Sequence, residues 1–171
     1  MKILIIQQKM IGDVLTSSIM FEALKDKYPN YELHYLINSH TFPVVLNNPY
    51  IDKYIFFTPE IESSYLKFLS FIKQIKNSNY DVIIDVYGKI SSNLITLFSG
   101  SKIKISYYKK HTAFIYNKSI KRLKTPEHNV SLAIENRLRL LKPLQIEFKN
   151  ILPKISLKKE EIQEAKIKLE S

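Results

Sequence analysis

The chain has 171 residues, 45% hydrophobic and 25% charged, which suits one globular domain with a real core. It has no Cys, which excludes a disulfide framework, a thiolate metal site and a thiol nucleophile, and its formal net charge is +10. No stretch approaches the roughly 20 apolar residues of a membrane span, and the short apolar run before Gln7 is no signal peptide, so a cytoplasmic location is expected.

The first stretch, Met1 to Ser18, carries the strongest pattern. Ile3-Leu4-Ile5-Ile6 reads as a strand buried on both faces, the first of a parallel sheet. It stops at Gln7-Gln8-Lys9, and Gly12-Asp13 then lead into a helix over Val14 to Tyr28, ended by Pro29-Asn30. Tyr31 to Ile37 reads as the second strand. Asn38-Ser39 suit the cap of a short helix over His40 to Leu46, and Lys53 to Phe57 reads as the third strand. An amphipathic helix is predicted over Ile61 to Lys76, then a fourth strand over Asp81 to Tyr87. Ser91-Ser92-Asn93 open a helix that Gly100 ends, and Lys102 to Tyr108 forms a fifth strand. Lys109 to Pro126 reads as a loop with room for a helical turn. His128 to Leu141 is a last core helix, Ile151 to Ile155 a sixth strand or a linker, and Leu157 to Leu169 a charged helix.

Strands alternating with helices predict an α/β fold, a Rossmann-like parallel sheet flanked by helices. Gly12, Gly88 and Gly100 are the only glycines, so neither G-x-G-x-x-G nor a P-loop can occur. A dinucleotide or nucleoside triphosphate held in the usual way is not expected.

Asp13 stands at the carboxyl end of the first strand, the edge where open α/β sheets bind ligands. Two readings compete: a first-turn acid that caps the helix, or a base that takes a proton from a substrate hydroxyl. Gly12 would let a substrate approach the backbone closely. Asp85, at the end of the fourth strand, either faces the same cleft or caps the next helix. His128 is either a helix-start residue or a donor to an anion, and His34 reads as a satisfied strand histidine. No His and carboxylate pair has metal-ligand spacing. Ser101 to Pro126 holds eight Lys and Arg and no acid: a solvated face, or a patch for phosphates, an anionic membrane or nucleic acid. No nucleic-acid recognition motif accompanies it, so that partner is not expected.

The run from Ile3 through Gly12-Asp13-Val14 resembles the opening motif of the heptosyltransferases, the family-nine glycosyltransferases. Leu24-Lys25 to Tyr28-Pro29, Asn48-Pro49-Tyr50-Ile51-Asp52, Tyr80 to Asp85 with Gly88, Leu97 to Gly100, and Glu135-Asn136 to Leu141 resemble later family segments, in order. The sequence departs from the pattern at Gln7, Gln8, Lys9 and Met10, where many members carry Arg and then Ser, and at Ser101, where they carry Ala; Lys9 would then supply the cation.

The resemblance implies the N-terminal half of a two-domain GT-B glycosyltransferase. Residues 1–155 would be the Rossmann-like acceptor-binding domain and 156–171 a charged helix or the start of an interdomain linker, with the C-terminal donor domain absent. It implies inverting transfer of heptose, or a related sugar, from a nucleotide-sugar to a lipopolysaccharide core acceptor without a metal. ADP-heptose would be bound only with the missing domain, so this half alone would be inactive. Asp13 becomes the catalytic base by resemblance, with Lys9, Gly12 and His128 as acceptor contacts and the basic stretch facing anionic sugars or the inner membrane. An uncovered interdomain wall would favour a homo-oligomer. The alternative is a non-catalytic anion- or glycan-binding module.

Overall fold

The computed structural model describes residues 1–158, 160, 161, 163 and 167. Its centre is β1 (Lys2–Ile6), paired in parallel with β2 (Glu32–Ile37) on one side and β4 (Val82–Asp85) on the other. β3 (Lys53–Phe56) extends the β2 side, and β5 (Ile103–Tyr107) and β6 (Lys118–Ile120) extend the β4 side. The sheet order is β3-β2-β1-β4-β5-β6, all parallel. The chain switches direction across the sheet between β1 and β4, and such a switch point leaves a crevice beyond the carboxyl ends of the strands.

Alternation along β1 divides the core. Ile3 and Ile5 pack on the side of α1 (Ile11–Ser17), α2 (Ile19–Lys27) and α6 (Leu132–Arg139). Leu4 and Ile6 pack on the side of α4 (Tyr65–Asn77) and α5 (Ile90–Phe98). A central strand covered on both faces must be apolar at every position, and Ile3 to Ile6 are all fully buried.

Four expectations are corrected. The first helix begins at Ile11 and divides at Ser18, whose hydroxyl donates to Leu15 O at 2.7 Å and competes with the regular ladder. The helix expected over 61–76 is two, α3 (Pro59–Ser63) and α4, because Ser64 takes an extended conformation and caps α4 by accepting from Lys67 N. The sixth strand is Lys118–Ile120, inside the stretch read as a loop, while 151–155 form no strand. Asn117 prolongs that edge: its amide takes Lys104 N at 2.9 Å and donates to Lys102 O at 2.6 Å, mimicking a backbone rung. The last helix starts at Leu132, capped by Ser131, so His128 lies in the preceding loop. The charged helix expected over 157–169 lies largely outside the described residues. Among the described residues, no helix is long and apolar enough to cross a membrane.

Candidate functional site

The switch point opens as a cleft of about 780 Å³, lined among others by Gln7, Lys9, Met10 and Asp13 from the end of β1 and the start of α1. Tyr87 and Lys89 follow β4, Tyr107 ends β5, and Asn136 and Arg137 come from α6. Met10 precedes α1 at φ 70°, a left-handed conformation that turns the chain sharply from strand to helix. Gly12 follows in the first turn, and a Cβ built there meets nothing within 4 Å. The fold therefore does not require glycine at this position, while its absence of side chain leaves the backbone approachable.

Asp13 does not cap the helix: Met10 holds the cap position and no side-chain cap bond forms. The carboxylate instead accepts from Arg137 Nη2 through Oδ1 at 2.6 Å. Arg137 also donates from Nε to Ser17 Oγ at 2.9 Å and from Nη1 to Ala133 O at 3.1 Å. The Arg137 side chain is 10% exposed and that of Asp13 50%, so the ion pair is sealed on one side and open to the cleft on the other. The orientation is rigid beneath as well, since buried Tyr35 donates to Val14 O at 2.9 Å under α1. A negative charge in the first turn of a helix is also favoured by the helix dipole.

The opposite wall is cationic. The Arg122 guanidinium lies 3.9 Å from the centroid of the Tyr107 ring, a cation–π contact. Burial pushes the Tyr107 phenol up to about 12, so it stays a neutral donor across the physiological range. Lys9 is on the rim, paired to Glu62 at 2.5 Å, and that bond raises its pKa. Its charge is thus partly answered within the protein. Of the basic stretch, Arg122 lines the cleft, whereas Lys104 bonds Leu97 O at 3.0 Å on the α5 side.

Asp85 neither opens into the cleft nor caps α5. It is fully buried; its Oδ1 accepts from Gly88 N at 2.8 Å, and its Oδ2 lies 2.5 Å from the Tyr116 hydroxyl. That hydroxyl also lies 2.7 Å from Asn93 Oδ1. One hydroxyl proton cannot serve two acceptors, so the chain is completed by a proton on Asp85 or by an Asn93 amide that turns its NH2 to the hydroxyl. Burial raises the Asp85 pKa in the direction the first of these requires. The network fixes the turn that carries Tyr87 and Lys89. Lys109 clamps the same turn by donating to Gly88 O at 2.7 Å, and burial lowers its pKa.

His128 does not join this group. Its ring stacks on Phe148 at 3.8 Å between centroids and its Nδ1 pairs with buried Glu135 Oε1 at 2.6 Å. Both line a separate cavity of about 500 Å³ on the other flank of α6. His34 is the satisfied strand histidine expected, held between Tyr80 and Glu32 at 2.7 Å each. Among the described residues, no three His, Asp or Glu side chains come together as a metal site. The residues missed from sequence are Arg137, Lys89 and Tyr107, while Arg122 was included only as one of the eight basic residues of 101–126. For Arg137 a signal existed: it shares the buried face of α6 with Ile134 and Leu138, where an arginine demands an acid.

The model of glycosyltransferase family 9 (heptosyltransferase) matches residues 68–170. The chain belongs to this family. Lipopolysaccharide heptosyltransferase 3 of Escherichia coli (strain K12) is 28% identical over 139 residues, covering 79% of this chain and 40% of the relative. Lipopolysaccharide heptosyltransferase 1 of Campylobacter coli is 24% identical over 96 residues, covering 56% of this chain and 28% of the relative. The chain thus spans less than half the length of these curated relatives. Among solved structures, the family 9 glycosyl transferase from Veillonella parvula DSM 2008 superposes with a TM-score of 0.77 at 16% identity, over 96% of this chain and 47% of that one. E. coli heptosyltransferase WaaC with ADP-2-deoxy-2-fluoro heptose gives 0.72 at 17% identity, over 90% of this chain and 51% of that one. The fold is that of one half of a GT-B heptosyltransferase.

Proposed function

We propose that this domain is the acceptor-binding half of an inverting glycosyltransferase, which transfers heptose or a related sugar from a nucleotide-sugar to a lipopolysaccharide core acceptor. The observation that carries the reading is the half-exposed Asp13 carboxylate at the switch-point cleft, held through one oxygen by Arg137. In this reading the acceptor hydroxyl lies against the free oxygen, Oδ2. As the hydroxyl oxygen bonds to the anomeric carbon, its proton passes to Asp13 and the sugar–phosphate bond breaks, releasing the nucleoside diphosphate. Arg137 holds the base, Gly12 admits the acceptor to the backbone, and Lys9, Lys89 and Arg122 meet its phosphate or carboxylate groups. His128, on the far flank of α6, has no part in it. The nucleotide-sugar, ADP-heptose by the family resemblance, would be held by a second domain, and the acceptor would be met at the cytoplasmic face of the inner membrane.

The test joins this chain to a family donor half and compares Asp13→Asn with the parent. A fall in transfer of roughly 10²- to 10⁴-fold is expected; unchanged transfer would overturn the base assignment. A non-catalytic anion- or glycan-binding module would draw on the same cationic wall, and predicts glycan binding with no transfer in the joined protein.

A further inference from the structure

The outer surface of α4 and α5 is apolar, basic and free of acids. On α4 the core-facing residues are Phe71, Ile72 and Ile75, so Leu66 and Lys73 point outward with Leu69 beside them. On α5 the core-facing residues are Ser92, Ile95 and Thr96, so Ile90, Leu94 and Phe98 form the outward stripe. The helices pack side by side, and a Cβ built at Gly100 would sit 3.9 Å from Lys76 Cγ, which places the end of α5 against the last turns of α4. Leu66 is 76% exposed, Ile90 80% and Phe98 54%. Neither helix contains Asp or Glu, while Lys67, Lys73, Lys76 and Lys89 stand exposed around the stripe. Glu62, the nearest acid on α3, is paired to Lys9.

We infer that this face docks on an anionic lipid bilayer. Large apolar side chains amid lysines fit the boundary between headgroups and acyl chains, where apolar burial and attraction to anionic lipid act together. A second copy of the chain is a poorer occupant, because two such faces would set lysines against lysines. The position is also apt. A groove of about 390 Å³ lined by Phe68, Ile90 and Leu94 adjoins the stripe, with the Lys9-paired Glu62 at its wall, and Tyr87 and Lys89 belong both to it and to the Asp13 cleft. Docking would bring the mouth of the cleft to the bilayer surface. The inference deepens the reading of a membrane-borne acceptor, yet its assay contains no sugar.

The test is co-sedimentation of the full chain with vesicles of phosphatidylethanolamine and phosphatidylglycerol, or of phosphatidylcholine alone. Binding to the anionic vesicles only is expected, weakened by salt and reduced roughly tenfold or more by Leu66→Glu or Ile90→Glu. Both positions are solvent-facing, and circular dichroism checks that the variants fold. An Asp13→Asn chain should bind as the parent does, which separates this surface from the transfer reading. Three results would overturn the inference: no binding by the parent chain at low salt; full binding by both helix-face variants with loss in Lys121→Glu/Lys124→Glu; or a dimer of the parent chain that either helix-face variant dissolves.

Discussion

Arg137 directs its guanidinium wholly inward, to Asp13, Ser17 and the Ala133 carbonyl. Replacing it with Met leaves the Asp13 carboxylate without its partner and the Ser17 hydroxyl without its donor. Breaking a sealed ion pair costs about 3–5 kcal/mol, but water reaches the open side of Asp13, so a loss of about 1–2 kcal/mol is expected. Urea denaturation of Arg137→Met should show the midpoint lowered with its slope unchanged; an unaltered midpoint would mean the pair does not hold α6 to α1. The place of Asp13 at the cleft was legible, because it follows the first strand of an open α/β sheet, whereas position alone left cap and base both open and only the family resemblance favoured the base. Its partner was not legible, because Arg137 and Asp13 lie 124 positions apart and no local spacing links them. His128 misled for the opposite reason: it stands close in sequence to the helix that lines the cleft, and on the wrong flank of it.

At the scale of elements, the turn from β4 into α5 is built around the buried Asp85 carboxyl, whose pKa burial raises. An unfolded chain releases the Asp85 proton in the ordinary carboxylate range, whereas the folded domain holds it to higher pH. Between those points the folded state binds more protons, so Asp85 makes stability fall as pH rises through that window. Asp85→Asn, whose amide can donate to Tyr116 as the protonated acid does, should flatten this dependence. Urea midpoints of both proteins from acid to neutral pH measure it, and parallel curves would show that Asp85 is ionised in the fold. In the same turn Gly88 has φ +57°, and an added Cβ would lie 3.1 Å from Lys109 Nζ. Gly88→Ala should therefore cost about 1–2 kcal/mol by thermal melting. Elements with a long apolar signal, β1 and β4, could be read directly. β6 could not: a three-residue edge strand, Lys-Ser-Ile, carries no period, and its pairing is supported by an asparagine side chain.

For the whole molecule, the two core layers meet at the central strands, so damage there reaches both faces of the sheet. Ile84 of β4 is fully buried, and Ile84→Ala should lower stability by about 2–5 kcal/mol in a single cooperative transition seen alike by fluorescence and circular dichroism. Two separated transitions would mean that the sheet's two sides unfold independently. The fold class was legible because alternating strands and helices admit few topologies. The sheet's winding put Asp13 at a cleft, as its position after β1 implies. The cationic wall was less legible, since the basic stretch 101–126 disperses in space and delivers Arg122 to the cleft while Lys104 turns to α5.

The Asp13–Arg137 contact also sets a timetable. A ribosome delivers β1 and Asp13 first, and 124 residues pass before Arg137 follows. At ordinary elongation rates that is a wait on the order of ten seconds. Through that interval the nascent chain carries an acid whose partner has not yet been made, next to an apolar strand that needs cover on both faces. The cleft therefore cannot be completed before α6 is made, and an assembled Asp13–Arg137 pair reports that translation has passed α6.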